Sequence, residues 1–226
     1  MENYNFVEGE VILIDKPLDW TSFDVVNKIK FALKRKFGAI KIGHAGTLDP
    51  KATGLLILCT GKKTKEIQQI QDAEKTYTGT FFLGATTVCF DTEKEVDQTF
   101  DISGITNEEI IECATTFVGE QQQFPPIFSA VKIEGKRAYD LARAGKEVAV
   151  KAKSITIKKF DITKIELPLI DFYVECTKGT YIRSLANDFG VKLNNGAYLH
   201  ALRRTKIGNY NVDDAFTLDS FLKTIE

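Results

Sequence analysis

The apolar positions of "EVILIDKP" run as one block that Pro17 stops, which predicts a buried strand. The period then changes. Val25, Val26, Ile29, Ala32 and Leu33 recur at helical spacing, with Thr21 or Ser22 in the N-cap place and Gly38 just past the end, so "TSFDVVNKIKFALKRKFG" predicts a helix. "LLILCTG" reads as a short apolar strand and "KKTKEIQQIQDA" as a helix. "KTYTGTFFLGA" alternates as a strand, with Thr76, Thr78 and Thr80 on one face and Tyr77, Gly79 and Phe81 on the other. In "TNEEIIECATTFVG", Thr106 and Glu109 stand at capping-box spacing before an apolar stripe. "FSAVKIEGKRAYDLARAG" reads as strand, turn and short helix. "VAVKAKSITIKKFDITKIEL" and "IDFYVECT" read as long alternating strands, "GTYIRSLANDFGVKLN" as a helix begun at Thr180, and "AYLHALRRTKIG" as a closing strand. Thr217 starts a last helix.

These elements predict a mixed α/β (α+β) fold with a largely antiparallel sheet and flanking helices. No repeat or low-complexity linker interrupts them, so one domain over 1–226 is expected, with the acidic segment near residues 91–101 as a place where it could divide into two lobes.

One stretch follows neither period. "GHAGTLDPKATG", Gly43 to Gly54, holds one of two histidines, three glycines and an Asp-Pro step. Pro50 biases Asp49 towards extended backbone, so its carboxylate leaves a turn and not a regular ladder. Taken alone, an Asx turn or a helix cap explains Asp49 better than chemistry does. Gly43, Gly46 and Gly54 permit close approach of a ligand to backbone, which favours chemistry.

Charge sharpens this. The formal net charge is −1, yet the cations are segregated. Lys28, Lys30, Lys34, Arg35, Lys36 and Lys41 lead into the loop, and Lys62, Lys63 and Lys65 follow it. Lys132, Lys136, Arg137, Arg143 and Lys146 form a third set, and Arg203, Arg204 and Lys206 a fourth. Any one run reads as a solvated face. Four runs beside the unusual motifs point to a polyanion, RNA or DNA. With 43% hydrophobic residues the chain can bury a core, and four scattered cysteines fit reduced thiols in a cytoplasmic protein better than disulfides or zinc. Neither a signal peptide nor an apolar run of membrane-spanning length appears, so no membrane is expected.

His44 has the chemistry of a general acid or base, set against a histidine that merely packs in a loop. Tyr77 is a strand aromatic or a ring facing a cleft. Tyr181 and Arg183 lie in the first turn of a helix, where the dipole disfavours a cation, so Arg183 serves a specific anion or pairs with Asp188 at the surface. Walker, dinucleotide and serine-elbow motifs are absent.

Together the segments resemble the TruB family of tRNA pseudouridine synthases. "GHAGTLDPKATGLL" resembles its catalytic motif. "ILIDKPLDWTS", "KTYTGTFFLG", "PPIFSAVKIEGKRAYDLARAG", "CTKGTYIRSLANDFG" and "GAYLHALRRTKIG" follow the family in the same order, over roughly Gly9 to Leu218. The resemblance implies the pseudouridine synthase catalytic fold and isomerisation of the T-loop uridine, position 55 of tRNA, after base flipping. It implies Asp49 as nucleophile and Arg183 as the cation that keeps it ionised. Tyr77 is implied as the ring stacked on uracil and a candidate for proton removal. Tyr181 and Leu202 would line the base pocket, and His44 would fill the space of the flipped nucleotide. Lys16, grouped with the substrate-binding residues, and Pro17 would support the loop. No cofactor and no metal is implied, and the partner is the tRNA T-arm, with no guide RNA and a monomer as default. A C-terminal PUA domain, common in the family, is not expected here, which should cost contacts to the acceptor arm. The rivals are an RNA-binding chaperone without catalysis, a guide-dependent H/ACA-type synthase, and a glycosidase. The last lacks a second carboxylate in the motifs.

Overall fold

The computed structural model describes residues 4–127, 132–133, 136–137 and 151–225, and the chain divides into two compact units. The first takes Met1–Tyr77 and Leu202–Glu226, and the second Thr78–Ala201. The acidic stretch at 91–101 lies inside the second unit and not at the division.

In the first unit, β1 (Val11–Lys16) pairs antiparallel with β3 (Ala52–Thr60), from Val11↔Cys59 to Lys16↔Gly54. β2 (Ile42–His44) pairs antiparallel with the far end of β3. β14 (Phe216–Thr217) adds in parallel to the other edge of β1. β12 (Ala197–Ile207), which belongs to this unit from Leu202 on, runs there parallel to the start of β3, with Arg204 opposite Gly54, and β13 (Tyr210–Asn211) folds back on it. Helix α1 (Ser22–Phe37) starts at Thr21, which makes a full capping box with Asp24, and stops at Gly38 with φ +81°. A 3₁₀ turn (Gly61–Glu66) precedes α2 (Ile67–Asp72), where the sequence pattern reads as one helix.

β3 is buried on both faces, which explains its unbroken apolar run. Leu56 and Leu58 pack with Ile12, Ile14, the α1 stripe Val25, Val26, Ile29 and Leu33, and Phe221 of α5 (Leu218–Ile225). Leu55, Ile57 and Cys59 pack with Ala45, Ile70, Ile207 and Val212 on the opposite face. Each fully buried side chain of this kind contributes about 1.5–3 kcal/mol.

In the second unit, β10 (Lys153–Glu166) pairs antiparallel with β11 (Leu169–Cys176) on one side and β7 (Gly119–Gln123) on the other. β11 alternates buried and half-buried along its length, as its sequence predicts. α3 (Asn107–Thr115) has the expected Thr106–Glu109 capping box. α4 (Ile182–Lys192) begins two residues after Thr180, with Tyr181 at the N-cap. The Phe81 ring of β4 (Lys75–Leu83) lies tilted 4.2 Å from that of Phe172 and 5.4 Å from that of Phe189, and Phe117 and Phe160 complete this aromatic core. β5 (Ala85–Thr87) pairs with β6 (Val96–Thr99). β8 (Lys132–Ile133) pairs with β9 (Lys136–Arg137); the short helix expected after them and the third basic set lie outside the described side chains. Antiparallel pairing prevails throughout, as expected. No helix among the described residues is long and apolar enough to cross a membrane.

Candidate active site

The unusual loop is shorter than its sequence suggests, because Gly43 and His44 belong to β2. Residues 45–51 make the turn between β2 and β3. Its ends are tied by Ala45 N donating to Ile57 O at 2.8 Å and Ala52 N donating to Asp49 O at 3.0 Å. Ser22 is not the cap of α1 but a latch on this turn. Its hydroxyl accepts from Leu48 N at 2.8 Å and donates to Leu48 O at 3.0 Å. The segment after β1 adds two ties, Asp19 N to Pro50 O at 2.9 Å and the Lys51–Asp19 ion pair at 2.7 Å.

Two buried cations hold the turn from below. The Lys16 ammonium, with no exposed surface, donates to Pro17 O at 2.9 Å and Trp20 O at 2.6 Å and reaches Pro50 O at 3.5 Å. Arg204, 2% exposed, donates from Nε to Leu55 O at 2.8 Å, from Nη2 to Gly46 O at 3.1 Å and from Nη1 to Thr47 O at 3.3 Å. It also shares a hydrogen bond with the Tyr77 side chain and feels the charge of Asp49. Burial pulls the guanidinium below its ordinary value, yet it remains positive. Gly54 is required here. Its φ is +101°, and a Cβ would stand 2.3 Å from Arg204 O.

Asp49 is therefore a half-buried carboxylate on a braced turn with Lys16 and Arg204 within electrostatic reach. Tyr77 is 8% exposed and Leu202 half-buried in the same unit. His44 is half-buried. Burial lowers its pKa, partly offset by a hydrogen bond with the Gly46 backbone, so the ring is neutral at pH 7. Its Nδ1 is buried with no hydrogen-bond partner among the described residues.

Arg183 and Tyr181 belong to the second unit. Arg183 is buried, not a surface residue, and Asp91 is an anion beside it. Nε lies 3.6 Å from Asp91 Oδ2, and Nη1 donates to Cys89 O at 3.2 Å. Asp91, 3% exposed, is in turn held by Glu93 N at 2.8 Å and by the Cys89 thiol at 3.0 Å. Tyr181 is held at its backbone by the buried Gln123 amide, which accepts from Tyr181 N at 2.8 Å and donates to Tyr181 O at 3.1 Å.

The fourth basic run needs correction. Arg204 is internal, and Arg203 makes a two-pronged pair with Asp15 at 2.9 and 2.7 Å, which leaves Lys206 exposed. Lys28, Lys30, Lys34, Arg35, Lys36 and Lys41 are all exposed, as are Lys62 and Lys65. Arg204, Asp91 and Gln123 were missed as site residues by the sequence reading. Local spacing carries no signal for partners this far apart in the chain.

The family model for TruB family pseudouridylate synthase (N terminal domain) matches residues 34–182, and that for the tRNA pseudouridylate synthase B C-terminal domain matches 183–226. The chain belongs to the TruB family. It is 53% identical over 224 residues to tRNA pseudouridine synthase B of Flavobacterium johnsoniae, covering 98% of each. It is 52% identical to the protein of that name from Phocaeicola vulgatus, over 96% of this chain and 93% of the relative. Among solved structures it is similar to a Cbf5–Nop10–Gar1 complex, with TM-score 0.74 and 30% identity. That match covers 96% of this chain and 54% of the other, so the chain spans about half of that larger protein.

Lys16 gives this TruB-family site a pH signature. Burial lowers its pKa to about 8, against the opposing pull of Asp49 and Asp19. Above that pH the amine has two N–H groups for three carbonyls, and Asp49 loses a neighbouring cation. We expect kcat/KM to fall as pH rises through about 8, and this step to vanish in Lys16→Met. Stability should move the other way. The unfolded lysine titrates at its ordinary 10.5, so between pH 8 and 10.5 the unfolded chain holds more protons and the fold gains stability as pH rises. That gain is lost again as pH falls through about 8. Rate profiles and urea melts at pH 7.5 and 9.5, wild type against Lys16→Met, check both signs; a wild-type rate flat through pH 8 contradicts the role.

Proposed function

We propose that the protein isomerises the T-loop uridine of tRNA, at position 55, to pseudouridine, with Asp49 as nucleophile acting on a nucleotide flipped out of its stack. The observation that carries this is the braced turn: two buried cations and the Ser22 latch fix the backbone around one half-buried carboxylate. Such investment fits a group that must keep its position and its charge while a bond forms and breaks.

The reaction breaks the C1′–N1 bond, turns the detached uracil, joins C1′ to C5, releases the C5 proton and leaves N1 to take up a proton from solvent. Asp49 acts at the sugar–base junction. Arg183 is assigned the cation's role towards that carboxylate when RNA is bound, with Asp91 holding it in place within the second unit. Tyr77 stacks on the base and takes part in removing the C5 proton. Its hydrogen bond with Arg204 supports this, because a phenol needs local help to act as a base at neutral pH. Tyr181 and Leu202 are each assigned contacts with the base. A neutral His44 ring fills the space the nucleotide leaves, which offsets part of the few kcal/mol that flipping costs. Lys16, expected among the substrate-binding residues, is fully buried on backbone carbonyls and supports the turn instead.

The exposed lysines hold the phosphate backbone, so binding weakens with added salt. The enzyme works in the cytoplasm as a monomer, with neither cofactor, metal nor guide RNA, and both units serve one catalytic domain. Incubating unmodified tRNA with the protein alone and locating pseudouridine along the strand tests this. Modification at the T-loop uridine is expected. Modification at other sites, or a requirement for a second RNA, would overturn the substrate or the guide-free reading respectively.

A further inference from the structure

The solvent face of α1 carries what an ordinary solvated helix does not. Its inner stripe is buried and accounted for by the core. On the outside, Phe23 and Phe31 are 68% and 65% exposed among Lys28, Lys30, Lys34 and Arg35. None of these four cations makes an ion pair among the described residues, and the acid of this helix, Asp24, is engaged in its capping box. Phe31 borders a groove of about 540 Å³, lined by Lys28, Ala32, Arg35 and Lys36 of α1 and by Leu222 and Ile225 of α5.

Lys28, Phe31 and Arg35 follow at i, i+3 and i+7, so they form one row with the ring between two cations. An exposed ring between unpaired cations is the pattern that takes a base by stacking and its phosphates by charge. A second copy of this chain fits the row poorly, since a two-fold contact would set like charges together. Position argues for RNA as well. The start of α1 is latched to the Asp49 turn through Ser22, and at 1.5 Å per residue Phe31 lies about 14 Å along the helix from that latch. The target nucleotide itself cannot span that distance.

We propose that the outer face of α1, with Phe31 between Lys28 and Arg35, is a second RNA-contacting surface that takes an unpaired nucleotide of the substrate RNA away from the reacting one. It rests on the reading of the protein as a tRNA-modifying enzyme. The ring stacks on the base, and the two cations take its flanking phosphates. Orientation of the RNA is thereby set at two points, the Asp49 turn and this row.

Filter binding of tRNA over a salt series tests it, with wild type, Phe31→Ala and the double variant Lys28→Gln/Arg35→Gln. All three side chains are exposed, and unchanged thermal melts verify the fold. Phe31→Ala is expected to weaken binding about tenfold with the salt slope unchanged. The double variant is expected to weaken it and to reduce the log–log salt slope by about 1.4, two single-strand phosphates. Wild-type affinity in both variants overturns the surface while tRNA modification by the wild type stands. Wild-type affinity in Phe31→Ala alone overturns the stacking and leaves plain charge attraction. A dimer in the wild type that the variants dissolve, or binding to phosphatidylserine vesicles that they abolish, overturns it in favour of self-association or a membrane. If the wild type binds no tRNA at all, the proposed function falls, and this surface with it.

Discussion

Asp91→Asn is expected to lower the single-turnover rate by a hundredfold or more while tRNA still binds. Asp91 and Arg183 are both nearly fully buried, and an Asp91 carboxylate oxygen lies 3.6 Å from the Arg183 guanidinium. Breaking a buried pair by removing one charge costs about 3–5 kcal/mol. At 1.36 kcal/mol per tenfold, that cost is about two to three and a half decades if it falls on catalysis. Part of it will instead destabilise the second unit. The substitution is gentle in shape: an asparagine oxygen can still accept from Glu93 N, as Asp91 Oδ1 does at 2.8 Å. Rate and melting temperature should both be measured. A rate within threefold of wild type would mean that Arg183 does not depend on Asp91 for its function.

Arg204→Met is expected to be the most damaging change to the first unit. It leaves the carbonyls of Gly46, Thr47 and Leu55 and the Tyr77 side chain without their shared donor. The Leu55 bond is buried and the Gly46 and Thr47 bonds are half-buried, and an acceptor left unsatisfied out of water costs about 1–3 kcal/mol, so the loss is a large fraction of the stability of an ordinary domain. Arg204→Lys separates charge from geometry. A lysine retains the positive charge, but its single nitrogen cannot reach three carbonyls that a planar fork spans. The lysine variant should fold, melt several degrees lower and turn over at least tenfold more slowly. A lysine variant that matches wild type in both would show that charge alone braces the turn.

Much of the fold was legible because its local signals agree. Thr106 and Glu109 form the capping box that their spacing announces, and the alternation of β11 reports its half-buried placement. The continuous apolar run of β3 reports burial on two faces. Where the reading failed, the cause was distance along the chain. Arg203 and Arg204 look alike in sequence, yet one pairs with Asp15 and the other is sealed beneath residues 46–55. The parallel register of β12 on β3 decides between them, and no local pattern announces a parallel register. Asp91 was hidden for the same reason, as one acid in a stretch that reads as solvated. Ser22 looked like a cap because serine at that position usually is one; Thr21 took that role and freed Ser22 to latch Leu48.

The motif around Asp49 was the most legible part of the site, and the most direct measurement falls on it. Tritium release should be followed from a tRNA transcript labelled at C5 of uridine, with wild type and with Asp49→Asn, under conditions where both bind the tRNA. The account predicts one equivalent released per tRNA by the wild type and none above background by the variant. Release that survives in Asp49→Asn would contradict it and place the nucleophile elsewhere. No release by the wild type, with tRNA bound, would contradict the isomerase and favour a binding protein.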